Sequence, residues 1–259
     1  MPYRWLSSVM VLLLFMMAVS VSATGRSKED RPIRVTRQES NIARGIVRAS
    51  TQAILYAQVQ GRISQLPYKE GQRFEKGHTL VQLDCDKYRA ELAVAIAEHE
   101  AKDKLYKNNI ELGKLNAVSE LDLETSEAEA KKAFAAIRVA EVNVKGCRIV
   151  APFGGRVANL MVNEHENVFP NDKLISLLDD SSLEIELVLP SSSLSWLRRK
   201  ETFTFVVDET RRSYRARIRE IGASIDPASQ TIKVTAAFEK LPPEILAGMS
   251  GSAQFSEQP

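Results

Sequence analysis

Apolar and polar residues alternate along GRISQLPY (residues 61–68) and again along GRVANLMV (residues 155–162). A period of two marks a strand with one buried face. The two stretches match without a gap, 94 positions apart from Gly61 to Gly155. The match continues: Ile63 faces Val157, Glu70 faces Glu164, Leu80 faces Leu174, Val81 faces Ile175, Leu83 faces Leu177 and Asp86 faces Asp180. Each copy then carries a turn-like segment, KEGQRFEKGH or NEHENVFPND, and a closing strand, TLVQLD or KLISLL. Two copies are too few for a solenoid. Neither has the apolar faces for a core of its own, so the pair predicts one small flattened β-sandwich built from two facing halves.

Between the copies the period changes. From Lys87 to Lys145 there is no proline and little glycine, and Ala, Glu, Lys and Leu dominate. These are strong helix formers. Tyr88, Leu92, Ala95, His99, Tyr106 and Ile110 in the first half, and Leu123, Ala130, Phe134, Ile137 and Val144 in the second, follow the three-and-four spacing of a coiled-coil seam. The break at LNAV is followed by Ser119 as an N-cap, with Asp122 at the capping-box position. The pattern predicts two antiparallel helices over residues 87–146, inserted between the sandwich halves. The seam is accounted for by one helix packing on the other.

The two cysteines test that geometry. Cys85 precedes the first helix and Cys147 follows the second. A hairpin turned near Asn116 brings both to the base. In an exported chain they are expected to form a disulfide; the alternative is two buried free thiols on adjacent strands. Two cysteines without a histidine pair are too few ligands for a metal site.

Past Leu183 the alternation returns. LEIELVLP, TFTFVVD, SYRARIREIG, TIKVTAAFE and GSAQF read as strands, with one helical turn between Pro190 and Leu197. NIARGIVRAS, ahead of the repeat, supplies a sixth strand. Six short strands around one turn predict a small closed barrel. The expected order is therefore nested: barrel (41–53), sandwich half (54–86), helical hairpin (87–146), sandwich half (147–182), barrel (183–256). The fold class is α+β and elongated.

The N-terminus adds a compartment. An apolar run from about Val9 to Val21 follows Arg4 and ends in Val21-Ser22-Ala23, the small-x-small form of a signal-peptidase site. Residues 1–23 read as a signal peptide, with an uncleaved anchor as the alternative. Residues 24–40 are polar and unpatterned, a flexible lead-in.

Composition narrows the functions. The chain is 44% apolar and 26% charged, with a formal charge of +2 and no basic run, so nucleic-acid binding is not indicated. Arg211, Arg212, Arg215, Arg217 and Arg219 lie along strand positions, as a solvated face would. No Walker-type Gly-Lys-Ser/Thr occurs. His78, His99 and His165 lack a neighbouring nucleophile in sequence, and Glu164 and Glu166 around His165 read as a charged turn, so no catalytic residue is assigned. Asp86-Lys87 superficially matches a lipoylation pair. A carrier lysine sits on a tight hairpin, whereas Lys87 opens a long helix, so no cofactor is expected.

The chain resembles the periplasmic adaptor subunits, or membrane fusion proteins (the HlyD and RND adaptor families), of bacterial tripartite pumps. GRISQLPYKEGQRFEKGHTLVQLD resembles their first biotinyl/lipoyl-like half, and LDCDKYRAEL matches Asp-x-x-x-Tyr-x-Ala-x-Leu at Asp84, Tyr88, Ala90 and Leu92. IVAPFGGRV matches the returning Ala-Pro-x-x-Gly-x-Val, while IDPASQTIKV and AGMSGSAQF resemble barrel segments. The resemblance implies a lipoyl-like sandwich, no enzymatic activity and a ring, commonly hexameric. It implies an inner-membrane transporter (RND type favoured, ABC type possible) and an outer-membrane channel of the TolC type as partners. The location would be the periplasm, in association with the inner membrane. Such adaptors meet the channel through their hairpin tips, often with Arg-x3-Leu-x6-Ser. Leu112 and Ser119 keep the Leu-to-Ser spacing, but Asn108 holds the arginine position, with Lys107 beside it. The implied docking set is Asn108, Leu112, Ala117, Val118 and Ser119, although Ser119 also has its capping role. RND-type adaptors commonly continue into a membrane-proximal domain, so here either the barrel and lead-in are expected to face the transporter or the partner is of another transporter class. The competing function is an exported scaffold or adhesion module outside any pump.

Overall fold

Alternating apolar residues build two β layers, and a computed structural model shows how they interlock over the described residues 42–255. The signal-peptide and lead-in assignments lie outside those residues.

Three strands of the first sandwich half, β3 (Gly61–Gln65), β4 (Arg73–Phe74) and β5 (Thr79–Leu83), have counterparts β7 (Gly155–Leu160), β8 (Asn167–Val168) and β9 (Lys173–Leu178). With β2 (Gln52–Tyr56) and β6 (Arg148–Val150) they form two four-stranded sheets, ordered β2-β9-β7-β4 and β6-β5-β3-β8. Each sheet takes two strands from each half. The backbone bonds are exchanged in pairs. Ile63 N–H donates to Glu166 O and Val157 N–H to Gln72 O; Gly71 N–H donates to Val157 O and His165 N–H to Ile63 O. Side chains do the same: Glu70 accepts the N–H of Leu160 at 2.8 Å, and Glu164 that of Leu66 at 2.9 Å. Ile63, Leu80, Val81, Leu174, Ile175 and Leu177 are sealed from solvent between the sheets. Each such side chain contributes about 1.5–3 kcal/mol relative to exposure.

The barrel closes from six strands in the order β1-β10-β13-β12-β11-β14. These are β1 (Ile42–Ala49), β10 (Leu183–Pro190), β11 (Thr202–Val207), β12 (Ser213–Asp226), β13 (Thr231–Phe238) and β14 (Ser250–Gln254), with a 3₁₀ turn at Ser191–Ser195. Val47, Ile185, Leu187, Phe205 and Ala236 fill its centre. Outside, Arg212, Arg217 and Arg219 pair with Glu244, Glu239 and Glu184, a solvated ion-paired face. The changeover from barrel to sandwich falls earlier than the sequence pattern suggests. Gln52 and Ala53 pair with Leu178 and Leu177 of β9, so only the segment up to Ala49 is barrel strand.

Two connections join barrel and sandwich, and they are bonded to each other: Ser50 N–H to Ser182 O and Asp179 N–H to Thr51 O, both 2.9 Å. A cleft of about 360 Å³ is lined by Arg73, Arg156 and Asp180 and, on the barrel side, by Leu241, Ile245 and Ala247 among others. Asp180 receives Arg156 from one half at 2.6 Å and Arg73 from the other. Burial pushes the Asp180 carboxyl up, but the hydrogen bonds from Arg156 and Arg73 outweigh it and hold it below the usual carboxylate range.

The helices are α1 (Asp86–Lys114) and α2 (Glu120–Gly146). They leave the sandwich with almost no linker. β5 ends at Leu83 and Cys85 is already the N-cap of α1; Cys147 is the C-cap of α2 and β6 begins at Arg148. β5 and β6 pair as neighbours, Gln82 opposite Arg148, so both helices rise from one antiparallel ladder. Cys85 and Cys147 are joined by a disulfide with Cα atoms 5.9 Å apart, and both are buried.

Three outcomes are expected from this architecture. Gly61 and Gly155 are equivalent in the repeat but not in space. A Cβ on Gly61 would meet Leu83 Cβ at an ordinary 3.4 Å, whereas one on Gly155 would overlap the carbonyl of Leu178. Urea unfolding should therefore show Gly155→Ala losing about 1–3 kcal/mol, while Gly61→Ala stays within about 0.5 kcal/mol of the parent. The disulfide spans 62 positions. Replacing both cysteines by serine should cost about 4 kcal/mol by chain entropy, read as a lowered denaturation midpoint. Asp180, with its folded pKa below its unfolded one, contributes stability in full at neutral pH and loses it as pH falls through the folded value. The melting-temperature gap between the parent and Asp180→Asn should accordingly close below about pH 4.

Candidate interaction surface: the helical hairpin

The inner faces of α1 and α2 touch along their length. Leu123, Ser126, Ala130, Ala133, Ile137, Ala140 and Val144 line the α2 side at strict three-and-four spacing, and Ser126, Ala130, Ala133 and Ala140 are buried. On α1 the facing residues Tyr88, Leu92, Ala95, His99, Tyr106 and Ile110 are half-buried, and none is fully covered. Cross-seam contacts fix the antiparallel order. His99 Nδ1 lies 3.3 Å from Ala130 O, and Lys102 pairs with Glu129 at 2.7 Å. The Lys102 hydrogen bond lowers the Glu129 carboxyl, and Glu129 in turn raises the Lys102 ammonium. Ser126 Oγ donates to Leu123 O at 2.9 Å, so its burial leaves no orphan. Phe134, expected on the seam, is instead 51% exposed, its ring 5.4 Å from that of His99. Ala133, one position earlier, takes the seam position and is buried.

At the root, α2 ends against the segment that leads into β3. A Cβ on Gly146 would lie 3.0 Å from Val59 Cγ1. Tyr88 OH donates to Gln60 O at 2.9 Å, tying the first turn of α1 to the same segment.

The far end is a tight turn at residues 115–119. Asn116 adopts φ +56°, a left-handed position that asparagine tolerates. Leu112 O accepts N–H bonds from Leu115 and Ala117. Ser119 Oγ accepts the Asp122 N–H at 3.1 Å and donates to the Asp122 carboxylate at 2.6 Å. Ser119 is thus occupied as the N-cap of α2. Of the residues implied by the resemblance, Asn108 and Ala117 are exposed on the hairpin, Leu112 and Val118 are half-buried, and Val118 packs above Gly113. The side chains most open to contact are two that the sequence reading left out. Leu115 is 76% exposed and Leu121 71%. Their signal was present: each is a large apolar residue off the seam, beside the helix break.

The remaining candidates for chemistry stay apart. His78 Nδ1 is 2.7 Å from Tyr68 OH in one sandwich turn, and His165 occupies the equivalent turn region of the other half at φ +69°. Among the described residues no group of three or more His, Cys, Asp or Glu could hold a metal. Among the same residues no helix is long and apolar enough to cross a membrane.

Residues 51–180, the sandwich with its inserted hairpin, match the family described as RND MFP, barrel-sandwich hybrid domain. Multidrug resistance protein MdtA of Salmonella typhi is 26% identical over 218 residues, covering 75% of this chain and 52% of that protein. A Haemophilus influenzae protein is 29% identical over 196 residues, covering 75% of this chain and 51% of its own length. The chain thus spans about half the length of these relatives. Among solved structures, a putative efflux transporter from Bacteroides eggerthii is 25% identical with a TM-score of 0.66, covering 82% of this chain and 67% of that one. A MacA-MexA chimera carrying the Pseudomonas aeruginosa MexA α-hairpin shares the fold at 21% identity and a TM-score of 0.72, covering 83% of this chain and 80% of that one. With its strand-exchanged sandwich interrupted by a helical hairpin, the chain belongs to the membrane fusion protein, or periplasmic adaptor, family.

Proposed function

We propose that the protein is the periplasmic adaptor of a tripartite efflux or secretion pump, linking an inner-membrane transporter to an outer-membrane channel. The observation that carries this reading is the hairpin. Two long helices, closed at the root by the Cys85–Cys147 disulfide, hold the exposed Leu115 and Leu121 near the turn farthest from the β layers. Two large apolar side chains, both open to solvent beside the same turn, are suited to contact with a partner. The names of the relatives add efflux and drug resistance to that reading.

In this reading residues 1–23 direct export and residues 24–40 lead into the working part. Barrel (41–49 and 183–256), lipoyl-like sandwich (52–86 and 147–182) and hairpin (87–146) act as three bodies, the hairpin wound as a coiled coil. Copies assemble head to tail into a closed ring, a hexamer, on the periplasmic side of the inner membrane. The transporter is of the RND type, with the ABC type as the second choice, and the channel is of the TolC type. The chain aligns and seals a conduit and performs no reaction. Apolar contact at the tip dominates the docking, with Leu115 and Leu121 joining Leu112, Asn108, Ala117 and Val118 around the capped Ser119.

Cross-linking in whole cells followed by purification of the adaptor tests the reading. The parent should bring down both a transporter and a channel. Leu115→Asp combined with Leu121→Asp should keep the transporter and the fold, lose the channel, and sensitise cells to the pump's cargo. Channel recovery undiminished in that variant would remove the tip from the mechanism. Recovery of neither partner by the parent would favour a scaffold outside any pump.

A further inference from the structure

After β13 the sequence reads LPPEILAGM, residues 241–249. Two consecutive prolines offer no backbone N–H, so the chain leaves the ladder there. It returns to β14 through a turn. Ile245 N–H donates to Pro242 O at 3.2 Å and Gly248 N–H to Val47 O at 2.7 Å. Gly248 takes φ +97°, a backbone position that suits glycine. The turn has two sides. Ile245 is buried in the barrel core, whereas Leu246 is 54% exposed and lies outside that core. The outer side of the turn forms one wall of the cleft between barrel and sandwich.

At about 360 Å³ the cleft has the size of a small-molecule site, about 300–1,000 Å³. Leu178, Leu183, Leu241, Pro243, Leu246 and Ala247 give it an apolar wall. The charged residues lining it are Arg73, Arg156 and Asp180, two cations against one anion. Both guanidinium groups reach the same atom, Asp180 Oδ2. Arg156 also donates to Gly71 O at 3.3 Å. A guanidinium has five N–H donors, so each keeps donors for a further acceptor. The carboxylates adjacent in sequence are engaged elsewhere. Glu70 accepts the Leu160 N–H, Asp179 accepts the N–H and hydroxyl of Ser181, and Glu244 accepts from Arg212 and Tyr214. A Cβ built on Gly71 would meet nothing within 4 Å, so the cleft is open beside the arginines.

We infer that this cleft binds a small amphipathic anion. Its apolar body lies against residues 241–247, and its carboxylate, sulfonate or phosphate meets Arg73 and Arg156. The surplus positive charge sets the sign of the ligand, and the apolar wall sets its body. A bare inorganic anion would gain only the first interaction and a neutral apolar molecule only the second. A ligand there touches sandwich and barrel at once, so its binding favours the arrangement in which the cleft is formed. The site requires neither ring nor channel and stands apart from the adaptor reading.

Isothermal titration of the purified protein tests it. Decanoate, below its micelle concentration, represents acyl-chain anions, and naphthalene-2-sulfonate represents compact aromatic ones. At least one of them should bind at one site per chain, and the tighter of the two identifies the body that fits. Decyltrimethylammonium, with the same chain as decanoate and the opposite charge, should not bind. Leu246→Glu sets a carboxylate on the apolar wall at an exposed position, where the fold tolerates it, and should weaken the anion by about tenfold or more. Arg73→Gln leaves one cation for one anion and should weaken it by a similar factor. Failure of both anions to bind the parent would overturn the inference. So would equal binding of the cation, or anion binding undiminished in a Leu246→Glu chain of parental melting temperature.

Discussion

Neither half of the sandwich can satisfy its own backbone. Ile63 needs Glu166 of the other half, and Val157 needs Gln72. A buried strand that loses such a partner leaves its N–H or C=O unpaired at a cost of about 1–3 kcal/mol per group. The exchange therefore forces the halves together wherever the intervening chain goes. That is why a hairpin of two long helices can be inserted between them. The ends of the insert are held next to each other by the β5–β6 pairing, and the disulfide closes the same gap covalently.

The root and the base of the sandwich differ mechanically. At the root a paired strand turns into a paired helix within two residues, with Gly146 against Val59 and Tyr88 bound to Gln60. Any rotation there must break packing, hydrogen bonds or a covalent bond. At the base, two short crossings lead to the barrel, bonded to each other by two backbone hydrogen bonds, while Arg73 and Arg156 brace Asp180 on the sandwich side. The root is therefore the more heavily tied of the two junctions.

Much of this was legible in the sequence because it is written as local pattern. The copy-to-copy match placed Ile63 with Val157 and Leu80 with Leu174, and all four are buried as equivalents. Ser119 could be read as a cap because capping needs only itself and Asp122. What escaped depends on distance or volume. The match of Glu70 with Glu164 was visible, but not that each reaches the opposite half. Gln52 and Ala53 follow the barrel strand in sequence, and only their pairing with Leu178 and Leu177 assigns them to the sandwich. Phe134 has suitable spacing for the seam, but the helix turns Ala133 into it instead, and Phe134 packs its ring on His99. Asp86 and Asp180 match in the repeat, yet Asp86 pairs locally with Arg89 and Asp180 with two distant arginines.

The distribution of side-chain size along α2 completes the argument. The buried positions hold Ser126, Ala130, Ala133 and Ala140, while the valines at 139 and 142 face solvent. A hairpin whose apolar residues served only its own stability would be arranged the other way, since burying a valine contributes more than burying an alanine. The small seam lets two helices approach closely and form a thin blade, and the disulfide and paired strands at its root hold that blade to its own sandwich. The same constraint that closes the sandwich therefore sets where the blade leaves it.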